Sequence, residues 1–142
     1  MRLLYSLLLA PLICFDARAL ACRYNAPPSE RISRAMGSAD TLAIGSVETS
    51  RYLSPSNENE RAWTAKVHVQ DVIRGKADKD RYNISRTGQT TMCDDGVPLP
   101  SSGDKWAIYI GHVNGEEIVE LAYPLKIAFA TDPTAIEMRH AR

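Results

Sequence analysis

The chain has 142 residues, enough for one ordinary domain and too few for two. Lys plus Arg and Asp plus Glu both number 17, so no basic field exists to draw a phosphate backbone to the surface, which argues against nucleic acid as a partner. With 44% hydrophobic and 24% charged residues the composition is that of a folding chain and not of a disordered one.

Positions 1–21, MRLLYSLLLAPLICFDARALA, open with Arg2, run apolar from Leu3 to Phe15 and end on the small residues Ala19 and Ala21. This is the pattern of a secretory signal. The 13 residues of the apolar run fall short of a bilayer span, which needs about 20. Pro11, Asp16 and Arg18 argue against a buried helix. Ala19-Leu20-Ala21 puts the cut before Cys22, Ala17-Arg18-Ala19 would put it before Leu20, and lipidation of Cys22 ranks below simple secretion because Ala19 stands where a lipoprotein has leucine. The expectation is a signal peptide over 1–21 and one domain over 22–142, secreted or periplasmic, with no transmembrane segment in the mature chain. Loss of Arg2, Arg18 and Asp16 leaves 15 Lys or Arg against 16 Asp or Glu.

Cys14 leaves with the leader, and Cys22 and Cys93 remain as an even pair. In an oxidising compartment two such thiols pair. Their bridge would close a loop of 72 residues, worth about 4 kcal/mol of chain entropy. On residues alone it reads as a staple between an N-terminal tail and the body.

Pro27-Pro28-Ser29 ahead of ERISRAM predicts a two-turn helix capped by Ser29, with Ile32, Ala35 and Met36 on one face and Gly37 as its stop. TLAIGSVETS after Asp40 is a β-branched strand. A polar loop, SPSNENER, spans Ser54 to Arg61. Trp63, Ala65, Val67 and Val69 alternate with Thr64, Lys66, His68 and Gln70, which predicts a half-buried strand continuing through Val72 and Ile73 to a turn at Arg74-Gly75-Lys76. His68 falls on its polar face and reads as solvated. Tyr82 and Ile84 mark a third strand, ending near Gly88. Asp94 and Asp95, beside Cys93, read as solvated turn residues.

KWAIYIGHV, Lys105 to Val113, is apolar on both faces, as a strand inside a closed barrel would be, and His112 at its end reads as solvated like His68. Asn114-Gly115 is a type I′ hairpin signal leading into a fifth strand, Glu116 to Leu121. Pro124 breaks the chain. Asp132-Pro133 predicts a short helix through Met138, capped by Asp132. The fold class is mainly all-β: a five-stranded OB-type Greek-key barrel with a short N-terminal helix and a short C-terminal helix.

The cysteine directly after the leader, the pair AIGSVETS and AWTAKVHVQDVIRGK, and the second cysteine in MCDDG ahead of KWAIYI make the chain resemble the tissue inhibitors of metalloproteinases and their netrin-like relatives, from Cys22 to about Tyr123. The resemblance implies a Cys22–Cys93 disulfide. It also implies that the α-amino group and carbonyl oxygen of Cys22 chelate the catalytic zinc of a target metalloprotease, whose open coordination position accepts them. Arg23 would enter the pocket beside that zinc, and Thr90, Thr91 and Met92 would flank it. The chain departs from the family in carrying Arg23 where a small residue is usual and Tyr24 where a further cysteine is usual.

No H-E-x-x-H, G-x-S-x-G or phosphate-binding glycine loop is present. The expectation is therefore a secreted, non-catalytic protein with no cofactor and a zinc metalloprotease as partner. The alternative is a netrin-like interaction module that binds protein or glycan without touching metal, through SPSNENER or the face carrying Lys66 and His68.

Overall fold

The computed structural model describes residues 26–53, 62–86 and 95–136. The leader, the SPSNENER loop, and Cys22, Arg23, Thr90, Thr91, Met92, Cys93 and Asp94 lie outside them.

The described chain is mainly β. Helix α1 (Pro28–Ser38) precedes strands β1 (Thr41–Tyr52), β2 (Trp63–Arg74), β3 (Arg81–Arg86), β4 (Lys105–Val113) and β5 (Glu116–Pro124), and helix α2 (Leu125–Thr131) follows them. All five strands form one antiparallel sheet in the order β3-β2-β1-β4-β5. After the β1-β2-β3 meander the chain crosses to the far side of β1 and adds β4 and β5 there, the Greek-key step expected of an OB-type barrel.

Antiparallel pairing along that order makes the outermost strands, β3 and β5, run the same way. They face each other across a seam clasped by side chains at both ends. Tyr82 Oη donates to Glu117 Oε2 (2.7 Å) at one end, and Arg86 Nη2 donates to the Ala122 carbonyl at the other. Curvature for this approach comes from the β1–β2 pairing, which carries an extra residue at Ile73 and Gln70 of β2 and at Glu48 of β1. Each irregularity bends the strand and tightens its twist.

The core follows the alternation read from the sequence. Trp63, Ala65 and Val67 of β2 are buried, Lys66 is exposed, and β4 is buried from Trp106 through Gly111. The hairpin between β4 and β5 turns at Asn114 (φ 54°) and Gly115 (φ 83°), both left-handed, as a type I′ turn requires.

Both helix predictions need correction at their ends. Helix α1 begins at Pro28 with Pro27 as its N-cap, and no side chain caps it. Pro28 suits the first helical position because its φ is fixed and its missing N–H has no intrahelical partner. Ser29 lies inside the helix and is not its cap. Ile32 and Ala35 are buried as expected.

The C-terminal helix lies at Leu125–Thr131 and not after Asp132; residues 132–136 are non-helical. Asp132 ends α2, its N–H donating to the Ala128 carbonyl (2.8 Å). Its fully buried carboxylate accepts from Tyr109 Oη (3.0 Å) and from the Thr134 N–H (3.0 Å). Its Oδ1 accepts the N–H two residues on, as a helix cap's would, but the chain makes only a turn over 132–136.

Candidate functional site

One end of the seam is built around Arg86, the last residue of β3. Its guanidinium carbon lies 5.6 Å from the Trp63 ring, 5.9 Å from Trp106 and 5.2 Å from Tyr123, so residues of β2, β4 and β5 box it in. Trp63 and Trp106 meet edge to face, 5.7 Å apart at 79°, a geometry that satisfies the ring quadrupoles. A guanidinium over aromatic faces is attracted by the same quadrupoles, more strongly where water is excluded.

Charge balance comes from Asp95, whose side chain is 1% exposed. Arg86 Nε donates to both its oxygens, at 3.1 and 3.2 Å, and the Val97 N–H lies 3.3 Å from Oδ1. Burial alone would raise the Asp95 carboxyl; the Tyr123 hydroxyl, the Arg86 charge and the Val97 N–H outweigh it and hold the group below its ordinary value. Tyr123 is pushed up in turn, by burial first and then by Asp95. Its buried hydroxyl faces that carboxylate, with no partner at proper hydrogen-bonding geometry among the described residues.

Arg31 of α1 joins two distant parts of the chain at this point. Its Nε donates to the Ala26 carbonyl (3.0 Å) and its Nη1 lies 3.8 Å from Asp95 Oδ2. Ala26 is four residues after Cys22 and Asp95 two after Cys93, so both cysteine-bearing segments leave the described structure from one guanidinium. The second segment is fixed again just beyond, where Trp63 Nε1 donates to the Val97 carbonyl (3.1 Å) and Ser50 Oγ to the Pro100 carbonyl (2.6 Å).

Trp106 also forms one wall of an open apolar groove of about 710 Å³. Pro98, Leu99, Pro124 and Leu125 line it, and Phe129 and Ile136, 48% and 54% exposed, stand at its edge with Lys105 and Lys126. Asp104 lines it as well, so a mixed-charge rim over an apolar floor suits a partner segment with an apolar anchor.

At the opposite end of the seam, Asp78, His112 and Glu117 bring three ligand atoms within 4.8 Å of one another. These are the described residues that could hold a metal ion.

Of the residues singled out from the sequence, Cys22, Arg23, Thr90, Thr91, Met92 and Cys93 lie outside the described structure, which brings their flanks together at Arg31. Asp95 is a correction: it is a buried ion-pair partner and not a solvated turn residue, because the barrel's closure delivers Arg86 to it. His112 is exposed as expected but is engaged, with Asp40 Oδ2 3.1 Å from its Nδ1. His68 is half-buried in mid-strand. No described helix is long and apolar enough to cross a membrane. The sequence matches no protein-family model, and no curated protein sequence matches it significantly.

Proposed function

We propose that the chain is an exported, non-catalytic binding protein of OB-type fold that inhibits a zinc metalloprotease with an N-terminal ridge beginning at Cys22. The observation that carries this reading is the convergence of Ala26 and Asp95 on Arg31. Extended chain covers at most about 3.6 Å per residue. Cys22 therefore starts within about 14 Å of Ala26 and Cys93 within about 7 Å of Asp95, an approach that lets the two reach the Cα separation of about 5.5 Å that a disulfide needs.

A terminus tied in this way loses little freedom on docking. Its α-amino group, with an ordinary pKa near 8, gives up its proton at small cost to become a ligand. Amine and carbonyl oxygen of one residue close a five-membered chelate on the open position of the target's zinc. Arg23 enters the neighbouring pocket, so the target must offer a carboxylate there, since an unpaired guanidinium is costly to bury. Thr90, Thr91 and Met92 flank the ridge.

The test is a one-residue extension ahead of Cys22. Slow, stoichiometric inhibition of a zinc protease by the processed chain, abolished by the extension with the circular dichroism spectrum unchanged, supports the mechanism. Equal inhibition by the extended chain overturns it.

A second reading follows from the groove beside Trp106. There the chain binds a protein segment or glycan without metal, and Phe129→Asp abolishes capture of the partner while the extension and zinc chelators leave it intact.

A further inference from the structure

We propose that Asp78, His112 and Glu117 form a binding site for a divalent transition-metal ion of the zinc class, at the opposite end of the seam from the ridge. The site uses no ridge residue and stands whether or not the chain inhibits a protease.

Three separate elements supply the ligands: the β2–β3 connection, the last turn-side residues of β4, and the start of β5. His112 and Glu117 face each other directly across the Asn114-Gly115 hairpin, and cross-strand neighbours in an antiparallel pair have Cβ atoms about 5 Å apart. Asp78 is brought to them by its own backbone, whose N–H donates to Glu117 Oε1 at 2.8 Å. All three ligand atoms then fall within 4.8 Å of one another, the span of a shared coordination sphere.

Positioning groups stand behind two of the three. Asp40 Oδ2 lies 3.1 Å from His112 Nδ1 and fixes the ring, the carboxylate–imidazole arrangement that in metal centres orients the ligand and raises its basicity. Tyr82 Oη donates to Glu117 Oε2 at 2.7 Å and sets the rotation of that carboxylate. Tyr82 is a buried side chain, so the anchor is rigid.

The donor set decides the ion. One imidazole and two carboxylates suit zinc, cobalt or nickel, whereas magnesium and calcium favour oxygen alone. The cluster already holds a cation, since Lys76 Nζ lies 2.9 Å from Asp78 Oδ1. That ammonium is on an exposed, flexible stem and swings away when an ion takes its place.

The experiment is calorimetric titration of the purified chain with zinc in a non-chelating buffer, repeated with cobalt to read its visible absorption. One ion per chain is expected, with zinc preferred over calcium and magnesium. His112→Ala and Asp78→Asn should each weaken zinc at least tenfold. Asp40→Asn, which leaves all three ligands in place, should weaken it about tenfold. Lys76→Gln removes the competing ammonium and should tighten binding, and this exposed substitution keeps the test decisive if another variant fails to fold. Absence of zinc binding at millimolar concentration, a His112→Ala protein that binds zinc as tightly as the parent, or stronger binding of calcium than of zinc overturns the proposal.

Discussion

The two clasps of the β3–β5 seam contain similar chemistry in opposite surroundings. At the Arg86 end the carboxylate of Asp95 is 1% exposed and the guanidinium 13%, inside a box of three aromatic rings. At the Tyr82 end Asp78 is 57% exposed and its partner Lys76 is 85% exposed. An ion pair sealed from water cannot be broken without leaving a bare charge behind, so the first clasp is committed to structure. Screened pairs in water are worth little, so the Lys76–Asp78 pair beside the second clasp can exchange its cation for another. Placement along the same strands therefore separates a structural role from a proposed binding role: the sealed clasp holds the chain at Ala26 and Asp95, and the open one offers the side chains of the proposed metal site.

The largest expected effect comes from breaking the sealed end. Asp95→Ala leaves Arg86 boxed by aromatics with no counter-charge, at a cost of about 3 to 5 kcal/mol in urea unfolding. Arg86→Met combined with Asp95→Ala should cost clearly less than the two single changes added together, because neither partner is then stranded. Additive costs would show that the pair does not act as a unit.

Acid titration sharpens the same point. The folded Asp95 carboxyl sits below its unfolded value, so its contribution is fully present above about pH 4 and is lost as pH falls through the folded value. Asp95→Asn should flatten the fall in stability below pH 4; an unchanged acid limb would contradict the assignment.

One glycine at each end gives a steric comparison. Gly45 lies opposite Trp106 at the sealed end. A Cβ there would overlap Val67 Cγ1 and stand 2.9 Å from the His68 carbonyl oxygen, which is backbone and cannot yield. Gly45→Ala should cost about 1 to 3 kcal/mol. At Gly111, beside His112, the three atoms nearest an added Cβ belong to the exposed Glu120 side chain, which can move aside at the loss of its hydrogen bond from Ser38. Gly111→Ala should shift the unfolding midpoint far less, and equal losses would break the contrast.

The smallest effect belongs to the hydrogen bond of the open clasp. Tyr82 is pushed up to about 12, by burial first and then by the Glu117 carboxylate it donates to. A phenol raised in the folded state contributes stability that is complete below about pH 10 and disappears as pH rises toward 12. Tyr82→Phe should lose about 1 kcal/mol at neutral pH, with part of the alkaline decline removed. No change in either would show that the clasp is not closed in solution.

Much of the barrel was legible because local signals and burial agree. The alternation from Trp63 to Val67, the two-faced apolar run of β4 and the Asn-Gly turn each describe one strand or one hairpin, and each holds. What escaped the sequence depends on closure. Nothing near Asp95 announces that Arg86 will reach it, because the box is assembled from β2, β4 and β5 only when the seam shuts. Asp132 looks like a helix cap, and its Oδ1 does accept the Thr134 N–H, but it caps a turn while Tyr109 holds its other oxygen against β4. The metal-competent cluster was half legible: the Asn114-Gly115 turn sets His112 opposite Glu117, while Asp78 joins them only through the fold of the β2–β3 connection. The ridge residues were read by resemblance, and the structure places their flanks without describing the residues themselves.

The most direct measurement is intact mass of the chain expressed from Met1 in an export-competent host, alkylated with and without prior reduction. An unmodified N-terminus at Cys22 and two alkyl groups gained only after reduction are the expected result. A longer or blocked N-terminus, or two alkyl groups taken up without reduction, would contradict the tethered ridge on which the proposed inhibitory function rests.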